Sequence, residues 1–448
     1  MGHDRTSLPS ATPLLQQLVR IDTVNPPGDE QPAVELCERV LREAGFATTL
    51  VPGAPRRPNL VAELAAPDRA ARDAGPVLGL LSHVDTVLAD PADWQRDPWG
   101  GELVDGEVWG RGAIDMKSQT AAEITAAVAL AERGWRPARG ALKVFVVVDE
   151  EVGGYEGAVR LTRDHPDLAR CDFLLNEGGG APMIVGGRRH HGVGVGEKGP
   201  VRFVLHARGE AAHAATPGLG VNALEVLLPL LQRVVAAELP YDLAPPIVAM
   251  LDGLGLEGRD PDASYARLRD AAPELAAAIE PMGRITFSPT IVSAGRKLNV
   301  LPARAELRVD CRVPPGIDEA GARERILAAL GWGAGDDVAW DRVDIEWTEA
   351  IPGNSSPVEG PLMDALRDWL RGEEPDAVLV PSFLPGFTDS RTWRAAFPEC
   401  VAYGFFPHRH LELPSQAGRM HARDERIDER DLAFATRCYH DVILRLLG

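Results

Sequence analysis

The feature that most restricts the fold is an alternation of short apolar strands with helices in the first half of the chain. Residues 60–64, 77–82 and 143–149 form apolar or β-branched runs of strand length. Residues 116–133, which lie between the last two runs, have an Ala-rich helical pattern. Strands that alternate with helices of this length predict βαβ units and a mixed, largely parallel sheet flanked by helices, which is an α/β fold.

The pattern changes after Gly199. A strand at 201–208, a helix at 221–237, strands at 285–293 and 305–313, a helix at 319–330 and a strand at 343–348 give the order β-α-β-β-α-β. This order is typical of a small ferredoxin-like α+β domain. We therefore expect a catalytic domain in two parts, residues 1–198 and 353–448, divided by a lid domain at 199–352. Within the lid domain, residues of about 240–283 interrupt the pattern with Pro-rich turns and a charged helix, and we interpret them as an insertion.

The composition of the chain limits the partners and the cellular compartment that we expect. The formal net charge of −19 disfavours nucleic acids and anionic membranes as partners. No apolar run is long enough to cross a bilayer, and the first ten residues lack the apolar core of a signal peptide. The five cysteines are scattered, with no C-x-x-C pair, which argues against a disulfide framework and a thiolate zinc site. We expect a cytoplasmic enzyme.

The first candidate site residues are His83 and Asp85, at the end of a predicted strand. Residues two apart on a strand point the same way, so both side chains project at the carboxyl edge of the sheet, where open α/β sheets bind ligands. A metal-binding histidine is usually oriented by a carboxylate on its other ring nitrogen, and Asp85 can supply it. Taken alone, the pair is better explained as a strand end that satisfies turn backbone groups.

Four further motifs carry carboxylates or histidine. Asp115 follows a Gly-rich turn before a helix, where it could also be a simple helix cap. Glu150 and Glu151 follow the most strand-like run, where a solvated acidic turn is the alternative. Glu177 ends another apolar strand, and His421 lies far downstream. Together these motifs offer imidazole and carboxylate ligands without cysteine, a set suited to zinc and less specifically to manganese or cobalt.

The order of these motifs resembles the co-catalytic zinc peptidases and acylases, which include aminoacylase, carboxypeptidase S, glutamate carboxypeptidase, acetylornithine deacetylase and succinyl-diaminopimelate desuccinylase. The resemblance runs from about Leu14 to the final helix. It implies two zinc ions, with Co²⁺ or Mn²⁺ as substitutes. One ion would be held by His83, Asp115 and Glu177, the other by Asp115, Glu151 and His421. Asp115 would bridge the two ions, and the peptide bond between Asp115 and Met116 would be cis. Glu150 would be the general base, and Asp85 would orient the His83 ring.

The resemblance extends to the predicted lid. His213, in a Gly/Ala/Pro loop, resembles a histidine that stabilises the reacting carbonyl oxygen, usually in the partner subunit's active site, and this implies a homodimer through the lid domain. Asn299 and Arg312 resemble residues that grip the substrate's carboxylate, although a strand-face salt bridge is the alternative for both. Gly386, Thr388 and Arg391 resemble a Gly-x-Thr-Asp-x-Arg loop that lines the substrate pocket. Phe387 stands in that loop where many relatives have a small residue.

The expected reaction is metal-dependent hydrolysis of an amide bond in an N-acyl amino acid or short peptide with a free carboxylate. Residues 94–99 and 106–117 look closer to carboxypeptidase S and aminoacylase than to the desuccinylases, which favours an acylase or dipeptidase. A deacetylase or desuccinylase of an amino-acid biosynthetic intermediate is the alternative. A non-catalytic binding protein would be expected to lack a ligand or the base. A two-metal phosphoesterase would favour a basic phosphate pocket, for which the sequence has no Gly-rich cradle.

Overall fold

The computed structural model describes residues 8–335 and 337–448. The helices are α1 (Thr12–Val19), α2 (Gln31–Glu43), α3 (Arg69–Asp73), α4 (Lys117–Glu132), α5 (Ala158–Asp164), α6 (Pro166–Ala169), α7 (Ala223–Ala236), α8 (Pro245–Gly253), α9 (Pro261–Ala271), α10 (Pro273–Ile279), α11 (Glu319–Ala329), α12 (Pro361–Glu373), α13 (Ser390–Ala396), α14 (Leu413–Arg419) and α15 (Glu429–Leu447). The strands are β1 (Ala47–Val51), β2 (Asn59–Ala65), β3 (Val77–His83), β4 (Glu102–Val104), β5 (Glu107–Trp109), β6 (Ala141–Val147), β7 (Phe173–Asn176), β8 (Pro182–Val185), β9 (Arg188–Glu197), β10 (Gly199–Arg208), β11 (Thr286–Ala294), β12 (Arg304–Val313), β13 (Val343–Ala350), β14 (Asn354–Ser355), β15 (Val378–Leu384), β16 (Val401–Gly404) and β17 (Arg426–Asp428).

The larger sheet has ten strands in the order β1-β2-β6-β3-β7-β16-β9-β14, with β15 and β8 also paired to β9. Its centre, β6-β3-β7-β16, is parallel, and β1, β2, β8 and β14 join antiparallel. This confirms the mixed, largely parallel sheet predicted from the sequence. Strand β6 is buried on both faces: Val144 and Val146 pack with the cluster under α4 and α15, while Phe145 and Val147 pack with the cluster under α5 and α13.

The boundaries of the elements predicted above differ from the observed ones by at most two residues, but α1 and β9 depart further from the sequence pattern. The apolar spacing of residues 11–24 predicts a longer helix than α1. Helix α1 stops at Val19, because Thr23 then donates its hydroxyl to the Val84 carbonyl at 2.6 Å and Asn25 donates its backbone N–H to Thr86. Strand β9 was not predicted as a strand. The sequence indicates a surface or structural role for its Arg188-Arg189-His190-His191 start, and both histidines are structural, since they are buried within the sheet.

The second sheet has four antiparallel strands in the order β11-β12-β10-β13. Helices α7 and α11 contribute Leu230 and Ile326 to a separate apolar cluster against this sheet. The element order β10-α7-β11-β12-α11-β13 is the β-α-β-β-α-β connectivity that the sequence pattern indicated. Strand β11 lies at one edge of this sheet, and most of its residues are exposed.

The insertion between α7 and β11 contains α8, α9 and α10. It does not pack on the four-stranded sheet. Ile247, Met250, Tyr265, Leu268 and Ile279 belong instead to the apolar cluster of the larger sheet. Helix α8 lies against β15, and α10 lies against α14. The insertion is therefore part of the wall around the carboxyl ends of the larger sheet's strands, a position that the sequence pattern did not indicate.

In the part of the chain that the structure describes, none of the helices combines the length and apolar character that a bilayer crossing needs. All five cysteines are buried and free of disulfide bonds.

Candidate metal centre

Two groups of possible metal ligands meet at the carboxyl edge of the larger sheet. The first group is His83, Asp115 and Glu177. His83 ends β3, and Glu177 directly follows β7, the neighbouring parallel strand. The Nε2 atom of His83 lies 3.1 Å from Asp115 Oδ1 and 3.7 Å from Glu177 Oε1. Parallel neighbours therefore bring to one point residues that are far apart in the sequence, as the strand-end reasoning predicts.

The second group is Asp115, Glu151 and His421. The Nε2 atom of His421 lies 3.0 Å from Asp115 Oδ2 and 3.3 Å from Glu151 Oε2. Asp115 thus presents one carboxylate oxygen to each histidine, which is the arrangement a bridging ligand requires. In each group the possible ligand atoms all lie within 4.8 Å of one another.

The backbone before α4 fixes the Asp115 carboxylate. Gly112 has φ of +84°, a conformation that favours glycine, and the peptide between Asp115 and Met116 is cis, as the resemblance implied. The fully buried Glu425 accepts the backbone N–H groups of Ile114 at 2.6 Å and Asp115 at 3.1 Å. Arg111 donates to the same carboxylate at 2.6 Å. Asp115 therefore precedes a helix, but its carboxylate faces the two histidines.

Asp85 stands behind His83. The Nδ1 atom of His83 lies 3.1 Å from the Asp85 backbone carbonyl and 3.4 Å from its Oδ1 atom. The closer partner is therefore the backbone oxygen, although the carboxylate was expected. The Asp85 carboxylate also accepts the backbone N–H groups of Glu150 and Glu151, both at 3.2 Å. Asp85 thus orients one histidine and holds the acidic turn in place.

Burial and mutual repulsion raise the pKa of three carboxylates at this edge, those of Glu150, Glu151 and Glu177. Burial, followed by the Glu177 charge, raises the pKa of Glu150 well above its usual range. Burial and the Asp115 charge raise the pKa of Glu177 to about 7. Burial also raises the pKa of Glu151, whose buried Oε1 atom has no hydrogen-bond partner in the described chain. Hydrogen bonds that His421 donates to the Asp115 and Glu151 carboxylates raise the pKa of His421 to about 10. These groups carry more negative charge than their neighbours neutralise.

Such a donor set fits divalent cations. Crowded, buried carboxylates are stable when they are neutralised by positive charge, and imidazole with carboxylate oxygen suits zinc, manganese or cobalt. The orphaned Glu151 oxygen and the shared Asp115 carboxylate both favour cations at this position.

Glu150 belongs to neither group of possible ligands. It follows β6, next to Glu151, and its carboxylate lies 4.0 Å from His83 Nε2. The residue lines the cavity that opens in front of the metal centre. A carboxylate with a raised pKa at this place is suited to accept and return a proton.

The cavity has a volume of about 710 Å³ and is lined by Glu150, Glu151 and Glu177 together with Arg312, Gly386 and Thr388. Arg312 binds the Asp310 carboxylate at 2.7 Å, and its buried Nη1 atom has no partner in the described chain. Arg391 does not line the cavity, because its guanidinium stacks over the Phe387 ring at 3.8 Å. Phe387 itself lines the cavity between Arg391 and Arg312.

The Thr388 hydroxyl already has a hydrogen-bond partner within the protein. It donates to Glu197 Oε1 at 2.8 Å, and its backbone N–H donates to Glu197 Oε2 at 2.6 Å. Glu197 also pairs with the buried Arg394 at 3.0 Å. Thr388 therefore holds the loop against the sheet, and the loop presents Gly386 and Phe387 to the cavity.

His213 and Asn299 lie elsewhere. Both are exposed residues of the loops beside the four-stranded sheet, and neither lines the cavity of its own chain. An isolated bridge joins His213 to Val300, next to Asn299. The structure therefore brings these two residues close to each other, but it does not bring them to the metal centre of the same chain.

Sequence reasoning missed several residues that build the centre. Asn25 donates to Asp85 at 2.9 Å and to Asp149 at 3.2 Å, although its motif, next to two prolines, gave no signal. Asp389 is buried, and burial raises its pKa to about 8. Glu425 lies four residues after His421 in the sequence. Its proximity to a candidate ligand was the one available signal, because its partner Arg111 is remote in sequence.

The comparisons with known proteins agree with this geometry. The model of peptidase family M20/M25/M40 matches residues 79–445, and the chain belongs to this family. A succinyl-diaminopimelate desuccinylase from Cereibacter sphaeroides is 34% identical over 235 residues, which cover 51% of this chain and 57% of that protein. The match thus spans little more than half of that relative. A succinyl-diaminopimelate desuccinylase from Paracoccus denitrificans is 27% identical, covering 98% of this chain and 99% of that one.

Solved structures share the whole fold. An M20 family metallo-carboxypeptidase from Sulfolobus solfataricus superposes with a TM-score of 0.70 at 15% identity, covering 98% of this chain and 99% of that one. Human carnosine dipeptidase 1 superposes with a TM-score of 0.68 at 17% identity, covering 98% and 96%. At these identities the similarity establishes the fold alone.

Proposed function

We propose that the protein hydrolyses an amide bond in an N-acyl amino acid or short peptide with a free carboxylate, using two zinc ions. His83, Asp115 and Glu177 would hold one ion, and Asp115, Glu151 and His421 the other. The observation that carries the proposal is the Asp115 carboxylate, each of whose oxygens faces a different histidine beside an additional carboxylate. Bound cations of this kind polarise a carbonyl and lower the pKa of water.

The residues of the chain take the remaining roles. Glu150 would accept a proton from the attacking water and deliver it to the leaving nitrogen, since it lies in the cavity next to both ligand groups. Asp85 would keep the His83 ring and the Glu150–Glu151 backbone in position. Arg312, whose buried Nη1 atom lacks a partner, would bind the substrate carboxylate.

A homodimer would supply His213 and Asn299, which the single chain leaves away from its cavity. The edge strand β11 exposes Ile291 (54%) and Val292 (50%), and α7 exposes Leu228 (51%) and Val235 (69%). The insertion packs on the larger sheet and leaves this face uncovered by any described residue of the chain. A second copy of the chain is the occupant we propose for the face, because pairing there would bury the apolar side chains and the open sheet edge.

The alternative is a desuccinylase or deacetylase of an amino-acid biosynthetic intermediate, which the names of the sequence relatives support. One experiment separates the two. Protein stripped of metal and reloaded with Zn²⁺, Co²⁺ or Mn²⁺ is assayed on N-acyl amino acids, dipeptides and N-succinyl-diaminopimelate, with a chelator control. We expect turnover only after reloading. Turnover that persists after complete metal removal would contradict the proposed function.

A further inference from the structure

The cavity in front of the metal centre is lined by a few charged residues and by many apolar ones. Among the described residues that line it, the carboxylates are those of the metal centre, and Arg312 and His421 are the groups that can carry positive charge. Large apolar side chains make up much of the remaining lining, and the part of the cavity that they line is called the apolar chamber below. The apolar chamber is formed by Met183, Ile279, Met282, Phe406, Leu413 and Met420.

The insertion supplies one wall of the apolar chamber. Ala277, Ala278 and Ile279 at the end of α10, with Met282, line the cavity, and α10 lies against α14. Ile279 and Met282 are buried in the apolar cluster of the larger sheet, so this wall packs directly on the core. Ala277 and Ala278 are small, and the space in front of them remains open because they carry no more than a methyl group.

Contacts at both ends hold the insertion in place. Gly253 of α8 lies so close to β15 that an added Cβ atom would meet Val380 Cγ1 at 2.7 Å. After α10, the buried Lys198 donates to the carbonyls of Pro281 and Arg284, both at 2.7 Å. Pro281 also lines the cavity. The wall is therefore attached to the larger sheet and is formed before a substrate binds.

We propose that the apolar chamber receives a bulky, uncharged group on one side of the scissile amide, so that the substrates are amides with an aliphatic or aromatic acyl group or side chain. This inference rests on the proposed function. A carboxylate in the apolar chamber would lose its hydration without gaining a partner. Arg312 can bind one substrate carboxylate, whereas N-succinyl-diaminopimelate carries three and an ammonium group.

The test uses two substrate series on zinc-loaded enzyme. One series keeps the amino acid and lengthens the acyl group from acetyl to decanoyl, with succinyl as the charged comparison. The other series keeps an acetyl group and enlarges the amino-acid side chain. In the series that fills the apolar chamber, we expect kcat/KM to rise about three- to fourfold for each added methylene until the chamber is full. Equal kcat/KM along both series, or a preference for succinyl, would overturn the inference.

Substitution of the insertion wall provides the second arm. Ala278→Trp fills the apolar chamber, so the ratio of kcat/KM for octanoyl to that for acetyl substrates should fall at least tenfold. Ala266→Trp is the matched control, an exposed alanine of the same insertion that does not line the cavity. If Ala278→Trp does not fold, Ala277→Trp at the exposed rim of the cavity makes the same comparison. An unchanged ratio in a folded wall variant would exclude the wall from substrate selection.

Direct binding separates failure of this inference from failure of the proposed function. Calorimetry measures the affinity of zinc-loaded protein for octanoate and for succinate. Tighter binding of octanoate, weakened by Ala278→Trp, would support the apolar chamber even if no amide were hydrolysed, and only the proposed function would then fall. If the enzyme hydrolysed amides without any preference for apolar groups and bound the two acids equally, the proposed function would remain. The inference about the apolar chamber would then be overturned.

Discussion

Glu425 accepts the backbone N–H of Asp115 at 3.1 Å, although the two residues are separated by 310 positions in the chain. The same carboxylate accepts a hydrogen bond from Arg111 Nη1 at 2.6 Å, and both members of this ion pair are almost fully buried. The C-terminal segment that carries His421 therefore also fixes the backbone of the carboxylate which His421 faces. The segment before β17 thus positions a residue that lies just before α4.

We predict that Glu425→Gln destabilises the protein, because it leaves the buried Arg111 without a counter-charge. Breaking such a pair on one side costs on the order of 3–5 kcal/mol in the free energy of unfolding. Denaturant unfolding of metal-free protein measures the loss. The double variant Arg111→Met/Glu425→Leu removes both charges and should cost less than the sum of the single variants. If the loss of unfolding free energy in the double variant equalled the sum of the two single losses, the two side chains would not act as a pair.

Asp115→Ala is expected to abolish binding of two metals, because each proposed ligand group loses the oxygen that both share. Elemental analysis of purified protein counts the ions per chain. Asp93→Ala, an exposed carboxylate outside the cavity, is the control and should retain the wild-type metal content. Two tightly held ions in folded Asp115→Ala would refute the bridging role.

Glu150→Gln should keep both metals and lose turnover by a factor of about 100 to 10,000, since the amide cannot accept the proton that a general base must take. The metal content is measured beside kcat. Glu132→Gln, at an exposed position near the end of α4, serves as control. A metal-replete Glu150→Gln enzyme with wild-type kcat would assign the base to another residue.

His213→Ala and Glu150→Gln should complement each other if His213 acts in the partner's cavity. Each variant alone is expected to be nearly inactive, the first because the loss of one oxyanion donor costs on the order of 100- to 1000-fold. Mixing them under conditions of subunit exchange should restore about a quarter of wild-type activity, since a mixed dimer holds one intact site. Light scattering confirms the dimer. No recovery despite proven exchange would place His213 outside the partner's site.

Glu374 gives a pH dependence that is independent of the metal centre. Burial alone would raise its pKa, but hydrogen bonds with His191 and Arg409 outweigh burial and lower it from 4.5 to about 2. A depressed carboxyl pKa stabilises the fold above the unfolded value, and the stability is lost as the pH falls from about 4.5 through 2. Glu374→Gln should be less stable than wild type at neutral pH and show a smaller loss in that acidic range.

Unfolding free energies at several pH values measure this difference. Glu359→Gln is the control, because its pair with Arg367 is exposed and such pairs contribute little. Parallel pH profiles for wild type and Glu374→Gln would contradict the prediction.

The sequence predicted the elements whose periodicity is undisturbed and the residues at their ends. Strand β6 and helix α4 have uninterrupted apolar patterns, so their existence and the acidic turn after β6 could be inferred. Strand β9 could not, because glycine recurs along its second half and removes the apolar alternation. His83 and Glu177 meet because the parallel strands β3 and β7 end at the same edge, which is a general rule of such sheets.

Residues that act through distant partners escaped the sequence analysis. Nothing local reveals that Glu425 accepts the Asp115 backbone, or that the Thr388 hydroxyl is taken by Glu197. The packing of the insertion was equally inaccessible. Its apolar residues are spaced as on any amphipathic helix, and the spacing does not say which of two sheets they cover.

The insertion contributes no residue to either ligand group, yet it forms a wall of the cavity. Selectivity and bond cleavage would then be encoded in separate stretches of the gene. Residues 245–279 could be exchanged or redesigned as a cassette while the chemistry stays intact, provided that the contacts to Val380 and Lys198 are kept. The scaffold would then serve as a starting point for hydrolases tailored to chosen amides.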